Sequence, residues 1–279
     1  MENEQNRKPK PLTNEDSHSF TKDAMRPEAK MRTRSLLTLS LMSLLAATVP
    51  FSLGADKKDS AVESRAKGKL AEAKLGVDLS VDDGTARLEG VVESIAQKEK
   101  VERMIAKIDG ISRVTNNLRI VPDPDRERVV RAAARKIRMY PYYSIFDNVE
   151  LETREGVLTL KGEVTQPWYK ADIERLMASV PGVQAIENKL EVLPLSPMDD
   201  QIRMRVARAI YGNPTLSRYG IQANPPIHVV VKNGNVTLTG VVATTLEKAL
   251  AERAARFAAT YFGLDNRLLV ESEIRRAGA

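Results

Sequence analysis

Cysteine is absent from all 279 residues. That excludes disulfides, thiolate nucleophiles, cysteine metal sites and a lipid-modified N-terminal cysteine. Histidine occurs only as His18 and His228, so no second histidine or cysteine can complete a metal or catalytic site around either. There is one tryptophan, Trp168, and aromatic residues make up 5% of the chain. The sequence has no GxSxG, no P-loop, no GxGxxG and no HExxH, so the commonest hydrolase, nucleotide and zinc signatures are missing. Charge of one sign is also missing: 43 basic residues stand against 37 acidic ones. Nucleic-acid binding calls for a concentrated basic stripe, and none is present. The glutamates follow the surface periodicity of helices and strands and read as solvated faces. These absences point to a protein that is not an enzyme and needs no cofactor or metal.

What is there is repetition. Residues 149–164 read VELETREGVLTLKGEV. Apolar and polar residues alternate on both sides of Glu155-Gly156, the pattern of a two-stranded hairpin with one buried face. The stretch occurs three times. Gly84, Gly156 and Gly234 are the turn glycines, after Asp83, Glu155 and Asn233. Gly90, Gly162 and Gly240 lie six residues on, each followed two residues later by valine. Residues 83–121 align with 155–193 and 233–271 without a gap, so the whole chain is organised as repeats. After each hairpin comes an amphipathic helix, with Val101, Met104, Ile105 and Ile108 in the first copy and Ile173, Leu176, Met177 and Val180 in the second. The third copy has alanine in those columns, at 251, 254, 255 and 258. Leu246, Leu250, Phe257 and Tyr261 offer an alternative, rotated stripe, so this helix either sits closer to its sheet or has turned. A last strand follows, opened by Asn116, Asn188 or Asn266. These amides read as structural, since they can bond neighbouring backbone.

In chain order, residues 1–30 are polar and hold Pro9, Pro11 and Pro27, the composition of a disordered segment. Residues 31–55 carry Arg32 and Arg34, an apolar run from Leu36 to Val49 and a small-x-small site before Ala55. This is a secretory signal pattern. Two readings stay open: a cleaved signal, or an uncleaved inner-membrane anchor over 36–53 at the short end for a membrane helix. The repeats then occupy 60–121, 125–194 and 198–272, separated at Pro122, Pro124, Pro194 and Pro197, with a polar, fraying tail at 273–279. The third repeat gains six residues within 213–226. Each repeat reads helix, strand, strand, helix, strand. The last strand returns through a helix, so it lies parallel to its partner by a right-handed crossover. The prediction is α+β: three tandem αββαβ domains, each a three-stranded mixed sheet with two helices on one face and a wet, polar second face. The glycines 90, 162 and 240 predict close approach of a helix backbone. His228 falls in the column of Asp78 and Glu150 and is expected outward, as surface decoration.

The hairpin Asn233-Gly234-Asn235-Val236-Thr237-Leu238-Thr239-Gly240, the Pro181-Gly182-Val183 turn, Asn188 with its strand and their equivalents Gly110-Ile111 and Asn116 resemble the BON domain of bacterial osmotically inducible and nodulation proteins. The third copy departs with Thr260 in the turn-glycine column. The resemblance covers about 60–272. It implies the αββαβ fold, an envelope location, and binding of phospholipid surfaces, in the setting of osmotic or envelope stress. It supplies no catalytic set.

One aromatic patch stands apart from the repeat pattern. Tyr140, Tyr142, Tyr143 and Phe146 lie in the link before the second hairpin, and Trp168 opens the following helix. Tyrosine and tryptophan suit a water–lipid interface, having an apolar body and a polar tip. Lys170, Arg135, Lys136 and Arg138 could meet anionic headgroups. The competing reading makes the aromatics core and the bases an ordinary charged helix face. The expected partner is an anionic phospholipid surface, or envelope proteins bound without lipid. The export pattern is directly testable. N-terminal sequencing of protein from a periplasmic fraction should begin at Ala55 or Asp56. A cytosolic protein retaining residues 1–30 would overturn the export reading.

Overall fold

The computed structural model describes residues 53–277. The polar segment 1–30 and nearly all of the signal pattern lie outside the described residues. Among the described residues no helix is long and apolar enough to cross a membrane.

The first repeat begins with helix α1 (Leu53–Glu72). Its thin stripe of Val62, Ala66 and Leu70 is fully buried, so three well-spaced apolar residues hold it despite the interrupting Gly68. Strands β1 (Val77–Asp82) and β2 (Thr85–Val92) pair antiparallel around the Asp83-Gly84 turn. Helix α2 (Ile95–Ile105), capped by Ser94, buries Val101 and Ile105. Strands β3 (Arg113–Asn116) and β4 (Arg119–Ile120) are the halves of the first repeat's last strand. The second repeat has α3 (Arg126–Arg138), β5 (Asn148–Arg154), β6 (Val157–Val164) and α4 (Pro167–Met177). It ends in β7 (Ala185–Asn188) and β8 (Glu191–Val192). The third has α5 (Pro197–Tyr211), α6 (Ser217–Gly220), β9 (Ile227–Lys232), β10 (Asn235–Val242), α7 (Thr245–Arg256), β11 (Gly263–Asn266), β12 (Leu269–Val270) and α8 (Glu271–Ala277).

The predicted α+β architecture is present three times, and each repeat has its own apolar core. The central strand pairs antiparallel with the first and parallel with the last, as a helical crossover requires. Both central residues of each turn have positive φ: 45° and 69° at Asp83-Gly84, 51° and 80° at Glu155-Gly156, 50° and 72° at Asn233-Gly234. That is the mirror-image turn a two-residue hairpin needs to match strand twist.

Three expectations need correction, and one open alternative is decided. The last strand is not continuous. It breaks after its asparagine and resumes in unchanged register, so Thr85 faces Arg113 and Val91 faces Arg119. Gly90, Gly162 and Gly240 do not receive a helix. A Cβ on Gly162 would stand 2.2 Å from the carbonyl oxygen of Asn148, and one on Gly240 would stand 1.8 Å from that of Pro226. The approaching backbone is the chain entering the first strand: Gly76 and Val77, Asn148, or Pro226. Of the two readings of helix α7, close packing holds and rotation does not. Ala251 and Ala255 are buried while Leu246 and Phe257 are exposed, so the alanine face lets α7 pack close against α5. Finally, the fraying tail is helical as far as Ala277.

The six extra residues of the third repeat build α6. Leu216 and Tyr219 enter the core there, and the Tyr219 hydroxyl donates to buried Glu247 at 3.1 Å. Burial raises the Glu247 pKa, but the bonds from Tyr219 and Thr244 outweigh it and hold the carboxyl below its usual range.

The strand glycines differ in the room they leave, and this orders their mutants. All three have φ between 106° and 124°, a region that strains any side chain. At Gly90 the nearest atom to an added Cβ is 3.6 Å away. Gly162→Ala and Gly240→Ala add a backbone clash to the strain. Gly90→Ala should cost about 1 kcal/mol, and the other two roughly 2–4 kcal/mol. Urea melts of the three variants check this, and equal losses would contradict the packing difference.

Candidate functional site

The sequence singles out the link between α3 and β5, and the structure shows what shapes it. Asp147 is fully buried. It accepts from Ser144 N at 3.0 Å, Ser144 Oγ at 2.8 Å, Thr165 N at 2.7 Å and Thr165 Oγ1 at 2.8 Å. A buried carboxylate with four donors is satisfied, so it can hold two distant segments together. It ties the link to the residues that begin α4. Tyr140 adds a second tie, donating to Asp172 Oδ2 on α4 at 2.6 Å. Burial, then that bond, raises the Tyr140 pKa. The Asp172 carboxyl is held below its usual range by Tyr140 first and by Arg175 second.

The two ties bring the aromatic residues of the link against the start of α4. Tyr140 lies 5.6 Å from Tyr142 and 5.7 Å from Tyr169 between ring centroids, both edge to face. Tyr142 stacks over Tyr169 at 6.4 Å. Trp168 meets Tyr169 edge to face at 5.7 Å. The outer rings remain in water: Trp168 is 55% exposed and Tyr142 is 62% exposed, and Met139 beside them is 75% exposed. Arg135 and Arg138 are exposed on the last turn of α3, and Lys170 is half-buried on α4. No side-chain hydrogen bond or ion pair holds any of these three among the described residues. The N-terminus of α4 has Gln166 at the cap without a capping bond, and Pro167 follows. A positive helix end therefore adjoins Trp168.

Not every predicted site residue joins this face. Tyr143 turns inward. Its ring packs 5.4 Å from His228, and burial pushes its hydroxyl up to about 12. Phe146 is core, as one reading had it, but it packs with Ile145 against the core of the third repeat. Tyr169, Met139, Asp147 and Asp172 escape the sequence reading. Tyr169 was legible, since it adjoins Trp168. Nothing in the sequence marks Asp147, whose partners lie 18 residues away at Thr165.

His228 is corrected as well. It is not surface decoration: it is half-buried, and Nδ1 lies 2.6 Å from the carbonyl oxygen of Asp147. The link covers that end of the third sheet's outer face. Ser144, Asp147 and His228 come together without forming a nucleophile–base pair, because Ser144 Oγ is bonded to Asp147 Oδ2 and His228 contacts a backbone carbonyl. At the first hairpin tip the carboxylates of Asp59, Asp82 and Asp83 lie within 4.8 Å of one another. Asp59 is already bonded to Asp83 N at 2.9 Å, and such exposed acidic groups are common without an ion.

The glycine-turn hairpins, the returning strand and the three cores agree with one known family. The BON domain profile matches residues 58–122, 125–194 and 198–270. This chain belongs to the BON domain family. Its three BON domains mark it as a periplasmic, envelope-associated protein. A comparison with curated proteins finds no match. Among solved structures, the chain is similar to the C-terminal domain of CdsD, a structural protein of the type III secretion system of Chlamydia trachomatis. The identity is 16%, over 70% of this chain and 89% of that one, with a TM-score of 0.21. It is also similar to the PrgH periplasmic domain, at 13% identity over 72% and 98% of the two chains, with a TM-score of 0.19. At TM-scores this low the likeness carries no functional weight.

The second and third BON domains meet at His228, whose titration therefore bears on their joint. Burial is the largest influence on His228 and lowers its pKa from the usual 6.5. The unfolded chain therefore binds the proton more readily. Stability is fully present above about pH 6.5 and is lost as pH falls towards the folded value. The melting temperature should drop between about pH 7.5 and pH 5.5, and His228→Gln should flatten that dependence. A parallel drop in wild type and variant would assign it to other groups.

Proposed function

We propose that this BON protein acts in the periplasm without catalysis and binds anionic phospholipid surfaces through its second domain. Stress protection of the envelope is the setting that the family resemblance implies. The observation that carries the reading is the exposure of Trp168 and Tyr142, in a chain with a single tryptophan, on one cluster of four rings. An exposed aromatic group of this kind is costly in water and suited to the headgroup region. The cations support the same reading. Arg135 and Arg138 belong to α3, whose end is tied to α4 by Tyr140 and Asp172, and Lys170 follows the ring cluster. Each is free of a protein partner among the described residues, and each contributes about 1 kcal/mol beside an anionic membrane. The Tyr140 hydroxyl, raised by burial and by Asp172, stays protonated throughout the physiological range, so the patch presents a neutral phenol there beside positive charge. Attachment would be peripheral: headgroup attraction brings the domain to the surface, and the Trp168 ring enters the interface.

The indole reports on this directly. In the free protein Trp168 emission should be that of a solvated ring. Vesicles containing phosphatidylglycerol should shift it to the blue, and neutral phosphatidylcholine vesicles should shift it much less. Salt should reverse the shift, since screening acts over roughly 8 Å at physiological ionic strength. Trp168→Ala and Arg135→Glu/Arg138→Glu should each weaken co-sedimentation about tenfold or more and leave the melting temperature unchanged. Emission that anionic vesicles do not move would reject the lipid reading in favour of a protein partner.

A further inference from the structure

The joint between the first two BON domains is made of parts that recur elsewhere in the chain. The start of α2 sits on the end of α4. Ala96 N donates to the carbonyl of Ala178 at 2.8 Å, and Gly182 N donates to that of Glu93 at 2.9 Å. Gln184 Nε2 reaches the carbonyl of Ile120 at 2.6 Å, and Ile95 packs against the second core. The positive end of one helix thus meets the negative end of the next, a favourable dipole arrangement.

Repeat alignment locates the counterparts. On the giving side, Trp168 stands for Ala96, Val192 for Ile120 and Leu195 for Asp123. All three are exposed, Leu195 by 91%. On the receiving side, Phe257 stands for Ser179 and Phe262 for Gln184, and they are 80% and 86% exposed. Between this loop and α5 lies an apolar cleft of about 340 Å³, lined by Met198, Ile202, Ala259, Tyr261 and Phe262. The hydroxyl of Tyr261 is buried and has no hydrogen-bond partner. Two faces equivalent to an interface this chain already makes are therefore open, and both have become more apolar than their originals.

The chain's own second domain does not use them. It holds the third domain by a different joint: Val229 N donates to Ile145 O at 2.7 Å, His228 meets Asp147, and Thr239 Oγ1 donates to Asn148 Oδ1 at 3.1 Å. Ile145 and Phe146 are partly buried against the third core in that contact. We infer that the occupant is a second copy of this chain, with the Trp168 end of α4 in one copy seated on the Phe257–Phe262 end of α7 in the next. Aromatic anchors entering an apolar cleft are the usual energetic centre of an interface. The two faces differ, so the contact is head to tail and builds rings or open chains. Thr260 replaces Gly182, which the Asp123 backbone approaches to 2.7 Å from a built Cβ. The new joint must stand off slightly there, and Leu195 with the phenylalanines fills the gap. Trp168 serves both this contact and the proposed lipid face, so a given copy uses one or the other.

The chain has no cysteine, so introduced thiols report contacts without background. Sedimentation velocity on the full chain should show mass rising above the monomer with concentration. Phe262→Asp and Leu195→Asp should each weaken assembly about tenfold or more. Phe262→Asp should leave the vesicle-induced shift of Trp168 intact, so this proposal and the lipid reading fail separately. Mixing Trp168→Cys chains with Phe257→Cys chains under mild oxidation should give a cross-linked dimer that neither gives alone. A monomer at every concentration overturns the proposal, as does assembly indifferent to both aspartates. A double-cysteine chain that cross-links only within itself also overturns it, and would mean the third domain swings onto its own second domain.

Discussion

Every repeat depends on the point where its last strand breaks. The asparagine there does three things at once. Asn188 Nδ2 donates to the carbonyl of Lys170 and to Glu174 on α4, both at 2.9 Å, while its Oδ1 accepts from Leu190 N at 3.2 Å. Asn116 and Asn266 make the same set with α2 and α7. A short amide side chain can take the place of backbone in this way. It satisfies groups that the broken ladder would leave unpaired, and it pins the helix to the sheet. Opposite the break lies the strand glycine, which has positive φ and lies against the chain entering the first strand. Unchanged register on both sides shows that the break is a local distortion and not an insertion. The glycine and the asparagine are thus two halves of one device, the first meeting the entry to the first strand and the second pinning the helix at the break.

This device explains what could be read from the sequence. Repetition in register revealed the hairpins, the helices and the parallel return, because each rests on local pattern: period two, period 3.6 and a turn with positive φ. The asparagine was legible as structural, since its column recurs. Its effect on the strand was not, because valine and isoleucine on both sides of the break satisfy strand preference. The approach at Gly162 and Gly240 was legible as crowding, but the crowding partner is close only through tertiary folding. The packing of α7 was undecidable from period alone, with alanine and large apolar stripes both present. The structure settles it because the α5 face needs small residues for close approach.

The candidate site was half legible for a related reason. Tyrosine and tryptophan outside the repeat columns had no role in the common core, which made them visible. Their division was hidden. Asp147 holds the link in a form that sends Tyr142 to solvent and Tyr143 and Phe146 towards the third domain. One buried carboxylate thus decides which rings are surface and which are joint. Sequence spacing alone could not show this, because adjacent residues in an irregular link have no fixed period.

Function in such a protein arises from how the three copies differ. The shared elements build the cores, and the outer sheet faces differ where the link covers His228, Val230 and Thr239 of the third. The second domain places its variation in exposed rings and unpaired cations. The third places its variation in α6, in an alanine helix and in Thr260 with two exposed phenylalanines. Helix α6 and the alanine face serve the third core, but the exposed rings of the second domain and the exposed phenylalanines of the third do not. Large apolar side chains held in water are a cost that folding does not recover. Where they cluster at positions that form a joint in the neighbouring repeat, a surface that covers them accounts for the cost. The lipid interface and the second copy differ in which rings they cover. A membrane bound as proposed would cover Trp168 and Tyr142 but leave Phe257 and Phe262 in water. Only a partner shaped like the first domain's helix end covers the third domain as well.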